Sequence, residues 1–181
     1  LWSANSSGGG RGRGTFGGKQ TWGMDGPLGF RFVQDKLKLG LDVCEIRIMI
    51  EPDMAALAAE RATRDDLEQL REACLKVEEL ILQGKDYAQW DIRFHTVLAQ
   101  CTGNSVVHAL VPIFTQAVPF FIDITRKGLL KQTIDSHRDI LEAVCAGDGQ
   151  SAAQAMLHHL ADNRRNMLDL SAQLAKRSKT L

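Results

Sequence analysis

This 181-residue chain is short of the features that mark several large protein classes. It has four cysteines, Cys44, Cys74, Cys101 and Cys145, and no CxxC pair. A cysteine zinc site or a disulfide framework is therefore not expected. Scattered through helix-like stretches, these cysteines suit buried free thiols in a reducing cytosol, so the expected location is cytoplasmic. Charge of either sign is not in excess: Lys+Arg and Asp+Glu are both 22. The chain as a whole thus has no basic footprint for nucleic acid. No apolar run approaches the ~20 residues of a membrane span. The longest candidate, "LVPIFTQAVPFFIDI", is too short and carries two prolines. No cleavable leader is expected. Sustained alternation of apolar and polar residues is missing, which argues against strands. There is no repeat at solenoid spacing, and no glycine-rich phosphate loop after a strand.

What is there falls into two parts. Residues 1–33 hold "SSGGGRGRGTFGGKQ" and "MDGPLGF". Such a composition cannot bury enough apolar surface to offset its backbone entropy. It suggests a flexible leader or linker, or, through Gly-Arg-Gly-Thr-Phe, the remnant of a β-wing. From Gln34 to Leu181 the pattern is helical. Pro52 follows "EIRIMIE" and predicts a new or kinked helix at that point. Thr63 and Asp66 form a capping box. It opens a helix whose Leu67, Leu70, Cys74, Val77 and Ile81 recur at helical spacing. Gly84, Gly103 and Gly147 mark helix ends, and Asn104 is placed to cap the next helix. That helix, Ser105 to Lys127, is apolar almost all round, with kinks predicted at Pro112 and Pro119. The fold class predicted is all-α, an antiparallel bundle of about six or seven helices.

The polar residues on apolar faces carry the functional signal. Asp91 and His95 are one turn apart, so their side chains can converge on one point as paired metal ligands do. His137 shares the inward face of Ile140 and Leu141. Consecutive residues diverge by ~100° on a helix, so His158 and His159 cannot both point inward. His159 aligns with Ala152, Ala155 and Met156 and is the inward candidate. His108, at the start of the apolar helix, is expected at the rim. Three imidazoles and one carboxylate suit Zn²⁺, Ni²⁺, Mn²⁺ or Fe²⁺. Each histidine could equally satisfy its own core hydrogen bond, and spacing alone leaves both readings open. Catalysis is not expected. No further carboxylate is evident beside the cluster as a general base, and Ser136 directly precedes His137, so the two cannot face each other.

Four blocks in order, E-x-R-x3-E-P from Glu45, A-x-R-A-T from Ala59, D-x2-F-H from Asp91 with T-G-N, and H-x2-I-x2-A from His137 followed 22 residues later by His159, resemble one family. It is the C-terminal effector-binding (FCD) domain of GntR-type bacterial transcription regulators of the FadR subfamily. The resemblance implies a helical bundle that binds a small carboxylate effector, with a divalent metal, zinc first among the candidates, held by Asp91, His95, His137 and His159. It maps the first-helix arginine to Arg47, which could grip an effector carboxylate in bidentate fashion or simply pair with Glu51 at i+4. Asn163, one turn past His159, could add a hydrogen bond to the effector. The resemblance also implies a homodimer that reaches DNA only through a winged-helix domain, which these residues do not include. The alternatives are a metal-dependent enzyme on a helical bundle and a metal-free structural bundle.

Overall fold

The computed structural model describes residues 35–115 and 130–178. The expectations for the 1–33 segment, for Pro119 and for the far half of the apolar helix lie outside these residues. So do those for the side chains of Pro112, Phe114, Phe120 and Phe121.

Six helices make up the described residues: α1 Lys36–Arg61, α2 Arg64–Leu82, α3 Ala88–Cys101, α4 Ser105–Thr115, α5 Leu130–Cys145 and α6 Gly149–Ser178. Their ends follow local chemistry. Asp35 accepts the Lys38 amide at 2.9 Å to start α1. Thr63 and Asp66 cap one another reciprocally at the start of α2, with the Asp66 amide 3.2 Å from Thr63 Oγ1 and the Thr63 amide 3.0 Å from Asp66 Oδ2. Asn104 Oδ1 accepts the Val106 and Val107 amides to open α4. After α2 and α5 the chain turns at Gly84 and Gly147, with φ of 66° and 70°. There the amides of Lys85 and Asp148 reach back five residues, to Leu80 and Ala143. That wrap needs a left-handed residue, which glycine supplies without strain.

Of the two outcomes expected at Pro52, a new helix is excluded: α1 runs unbroken from Lys36 to Arg61 with Pro52 inside it. An interior proline forfeits one hydrogen bond and costs ~3 kcal/mol or more. The offset is burial on both sides of it: Arg47, Glu51, Met54, Ala55 and Ala58 all face the core.

That core decides where the polar cluster sits. α1 packs along α6 and also touches α3 and α5, while α2 lies on α3 and α5. Phe94, Val97 and Leu98 of α3 meet Met54 of α1, Leu70 of α2, Ile140 of α5 and Met156 and Leu160 of α6, all essentially free of solvent. Each such side chain contributes about 1.5–3 kcal/mol. Gly149 opens α6 against α1: a Cβ there would come within 3.2 Å of the Ala56 carbonyl oxygen. The close seating brings the α6 histidine into the same layer as those of α3 and α5. All four cysteines are free, three of them buried. Among the described residues no helix is long and apolar enough to cross a membrane.

Candidate metal centre

The inward faces of α3, α5 and α6 converge on one polar point in this apolar interior. His95, His137 and His159 are 0%, 1% and 4% exposed, and Asp91 is 6% exposed. The three ring centroids lie 4.9–5.7 Å apart. One nitrogen from each ring falls within 4.8 Å of the others. Asp91 stands at the edge of the triad, its Oδ1 3.5 Å from His137 Nε2 and its Oδ2 4.0 Å from His95 Nε2. Two ligands ~2.1 Å from one tetrahedral ion are about 3.4 Å apart, so the Asp91 spacings are near ligand–ligand distances and the imidazoles must draw in slightly. His108 and His158 are exposed and take no part. Phe94 stacks on the His137 ring, centroids 4.2 Å apart and planes 10° apart, and so fixes its plane.

Hydrogen bonding sets the tautomers of two rings. Arg47 Nη2 lies 2.9 Å from His95 Nε2. A guanidinium only donates, so Nε2 is the acceptor and Nδ1 carries the proton. Glu51 Oε2 is 2.7 Å from that Nδ1, close enough for strong attraction, although Nδ1 is poorly aligned for a hydrogen bond. At His159 the orientation of the Asn163 amide sets the roles. Asn163 Nδ2 donates to Nε2 over 3.2 Å, leaving Nδ1–H for Ser136 Oγ at 2.8 Å. The Ser136 hydroxyl is then free to donate to the Thr133 carbonyl at 3.3 Å. Both rings thus have Nδ1 held from outside and the Nε2 lone pair on the other side, the pattern by which outer partners orient metal-binding histidines. His137 differs: neither of its nitrogens has a hydrogen-bond partner.

Charge is arranged to match. Arg47 is 2% exposed and grips Glu51 through Nε–Oε1 at 2.6 Å and Nη2–Oε2 at 3.2 Å. Burial alone would raise the Glu51 pKa, but Arg47 and His95 outweigh it and hold the carboxyl at about 2. Burial likewise opposes the charge on Arg47, and Glu51 overcomes it, so the guanidinium stays protonated. Burial pushes His137 and His159 well below the usual imidazole range, with neighbouring positive and imidazole groups adding to the effect. Burial raises Asp91, against the pull of His95 and Arg47.

Neutral imidazoles, each with one lone pair to offer, beside a carboxylate form a donor set of the kind that borderline divalent ions take. Buried His137, whose nitrogens have no hydrogen-bond partner, fits that use, since a metal ion would engage its one lone pair and an unsatisfied buried polar group costs about 1–3 kcal/mol. Sequence reasoning missed Glu51 and Ser136 as parts of the site. It also expected no further carboxylate there, and Glu51 corrects that. Glu51 is nevertheless unsuited to proton transfer: it is locked to Arg47 on the outer side of His95, and its pKa is far from the working range of a general base. Arg47 and Asn163, expected at an effector, both reach the triad, each with a donor on an imidazole.

Residues 42–162 match the FCD domain family. The galactonate operon transcriptional repressor of Escherichia coli (strain K12) is 30% identical over 133 residues, covering 70% of this chain and 57% of that protein. The HTH-type transcriptional regulator LutR of Bacillus subtilis (strain 168) is 30% identical over 125 residues, or 65% and 57% of the two chains. The putative L-lactate dehydrogenase operon regulatory protein of Escherichia coli (strain K12) is 30% identical over 127 residues, or 66% and 48%. The chain thus spans about half the length of the curated relatives it matches. Among solved structures, Streptococcus agalactiae GntR superposes with a TM-score of 0.68 at 31% identity, covering 77% of this chain and 64% of that one.

Proposed function

Since the chain belongs to the FCD-domain family of GntR-type regulators, we propose that residues 34–181 form the ligand-sensing domain of a metabolite-responsive transcription regulator. In this reading Asp91, His95, His137 and His159 hold one divalent metal ion, with zinc favoured by three imidazoles and one carboxylate. A small organic acid binds beside it. DNA is reached through a separate winged-helix domain, and residues 1–33 serve as the linker toward it. The protein works in the cytoplasm as a homodimer. Support for a partner surface comes from Ile46 and Met49 of α1, neighbours at i and i+3 that are 45% and 68% exposed.

The observation that carries the metal reading is His137, a fully buried imidazole with both nitrogens unpartnered at the centre of the cluster. A bundle whose histidines only satisfied core hydrogen bonds would account for His159, with a partner at each nitrogen, but not for His137, with none. A divalent ion that takes five or six ligands would leave positions for oxygen ligands beyond the four protein donors, and a zinc there would have to expand past four-coordination to take one. The chain's own residues do the rest. Glu51 and Ser136 orient two imidazoles, Phe94 fixes the third, and Arg47 brings a buried positive charge to the same point. Such a site favours a carboxylate with a neighbouring oxygen. Two of the relatives are named for a galactonate operon and an L-lactate dehydrogenase operon, and galactonate and lactate are both hydroxycarboxylates. The domain senses and does not turn over its ligand, since Glu51, the further carboxylate beside the triad among the described residues, is committed to Arg47.

Calorimetry with 2-hydroxy acids such as lactate and galactonate, on the zinc-loaded and the chelator-stripped protein, tests this. Binding that needs zinc supports the reading. Equal affinity with and without zinc would remove the metal from the ligand site, and conversion of the acid would favour an enzyme instead.

A further inference from the structure

Arg47 and Asn163 make contacts that ligand sensing alone does not require. Each aims an N–H at the lone pair of a different imidazole of the triad: Arg47 Nη2 at His95 Nε2, 2.9 Å away, and Asn163 Nδ2 at His159 Nε2, 3.2 Å away. A neutral imidazole has one in-plane lone pair, which serves either an N–H donor or a metal ion. On the far side Ser136 Oγ accepts from His159 Nδ1, and Glu51 Oε2 lies 2.7 Å from His95 Nδ1 as a charge contact. Each ring is therefore oriented from behind and blocked from in front. His137 has no blocking donor.

We propose that Arg47 and Asn163 are guards of the metal seat: both hydrogen bonds must be given up before a divalent cation can use His95 and His159, so that metal entry turns the Arg47 Nη2 group away from the triad. The proposal rests on the metal reading above and adds its control. Arg47 does not leave altogether, because its Nε stays on Glu51 Oε1, the shorter of its two bonds to that carboxylate at 2.6 Å. Its released N–H group is buried, positively charged and next to a dication. An anion bound beside the triad would meet both charges at once. Metal and acid thus bind in order, and the arginine that first blocks the ion becomes the contact for the carboxylate that follows.

Zinc alone is the probe, competed against a chromophoric chelator on the folded, metal-stripped chain at neutral pH. Asn163→Ala removes one guard and leaves the Ser136 bond in place. Zinc should then bind roughly two- to tenfold tighter, the fold-change of one net hydrogen bond. Ser136→Ala removes the orienting partner of the same ring and should weaken zinc about tenfold or more. Opposite signs from the two neighbours of one imidazole are the signature, since a merely structural role would weaken binding in both. Asn163→Leu, which fills the space without a donor, gives the same sign if the alanine variant folds poorly. In ¹⁵N arginine side-chain spectra, with Arg47 assigned by Arg47→Lys, zinc should shift the Arg47 Nη signals and leave Nε–H bonded. Unchanged or weaker zinc affinity in both Asn163 variants, or Arg47 Nη signals indifferent to saturating zinc, overturns the guard proposal while the metal reading stands. A parent chain that binds no zinc overturns the metal reading itself.

Discussion

Replacing Glu51 with glutamine should destabilise the fold far more than an ordinary surface charge change. Glu51 is 0% exposed and its carboxylate is gripped by the equally buried Arg47. Its pKa is held at about 2 against an ordinary 4.5. Each unit is worth about 1.4 kcal/mol, so the ionised carboxylate contributes on the order of 3 kcal/mol near neutral pH. The sign is that of a depressed carboxylate: the contribution is complete above pH 4.5 and is lost as pH falls toward 2. An independent estimate agrees, since removing one partner of a buried ion pair typically costs about 3–5 kcal/mol. Glu51→Gln keeps the shape and removes the charge, leaving Arg47 buried without a counter-ion. Urea unfolding at neutral pH reads the result. With a slope of roughly 2 kcal/mol per molar urea, the midpoint should fall by about 1.5 M. A shift under about 0.3 M would mean that Arg47 finds another partner or reaches water, and the reasoning about the buried pair would be wrong.

Metal-stripped protein should lose stability as pH falls below about 6.5. Burial lowers the pKa of His137 and His159, so the unfolded chain takes up protons first; each imidazole then removes about 1.4 kcal/mol per pH unit. The raised Asp91 opposes this only as pH nears the carboxylate range, and a flat profile of stability between pH ~6.5 and ~5 would refute the assignment. His137→Leu should leave metal-stripped stability unchanged or raise it by up to about 2 kcal/mol, because it replaces a buried group whose nitrogens are unsatisfied with an apolar one; a large loss in thermal unfolding would mean that the ring is satisfied after all. The chain should bind DNA weakly and without sequence preference, given its zero net charge, and any complex should dissolve with salt. A tight, sequence-specific gel shift at moderate salt would contradict that.

Much of the bundle is legible because its signals are local. Thr63 and Asp66, Asn104, and Gly84 and Gly147 specify helix ends through hydrogen bonds within a few residues. The inward placement of His95, His137 and His159 follows from apolar neighbours three and four positions away, and the same rule separates His159 from exposed His158. Pro52 leaves two outcomes open at the level of spacing, and the buried face of α1 is what carries one helix through it. Glu51 and Ser136 escape notice for another reason. Their roles depend on contacts between residues 51 and 95 and between 136 and 159, which arise from the packing of different helices. At the level of spacing Glu51 is visible only as an i+4 partner of Arg47, and Ser136 only as the residue before a histidine.

Whether the triad and Asp91 hold a metal ion is read from metal content. The protein, equilibrated with excess zinc and dialysed exhaustively at neutral pH, goes to elemental analysis beside the His137→Ala, His159→Ala double variant. The parent chain should hold about one zinc, from one four-donor site, and the variant essentially none. A parent chain without zinc, or a folded variant that keeps as much as the parent, would contradict the metal reading.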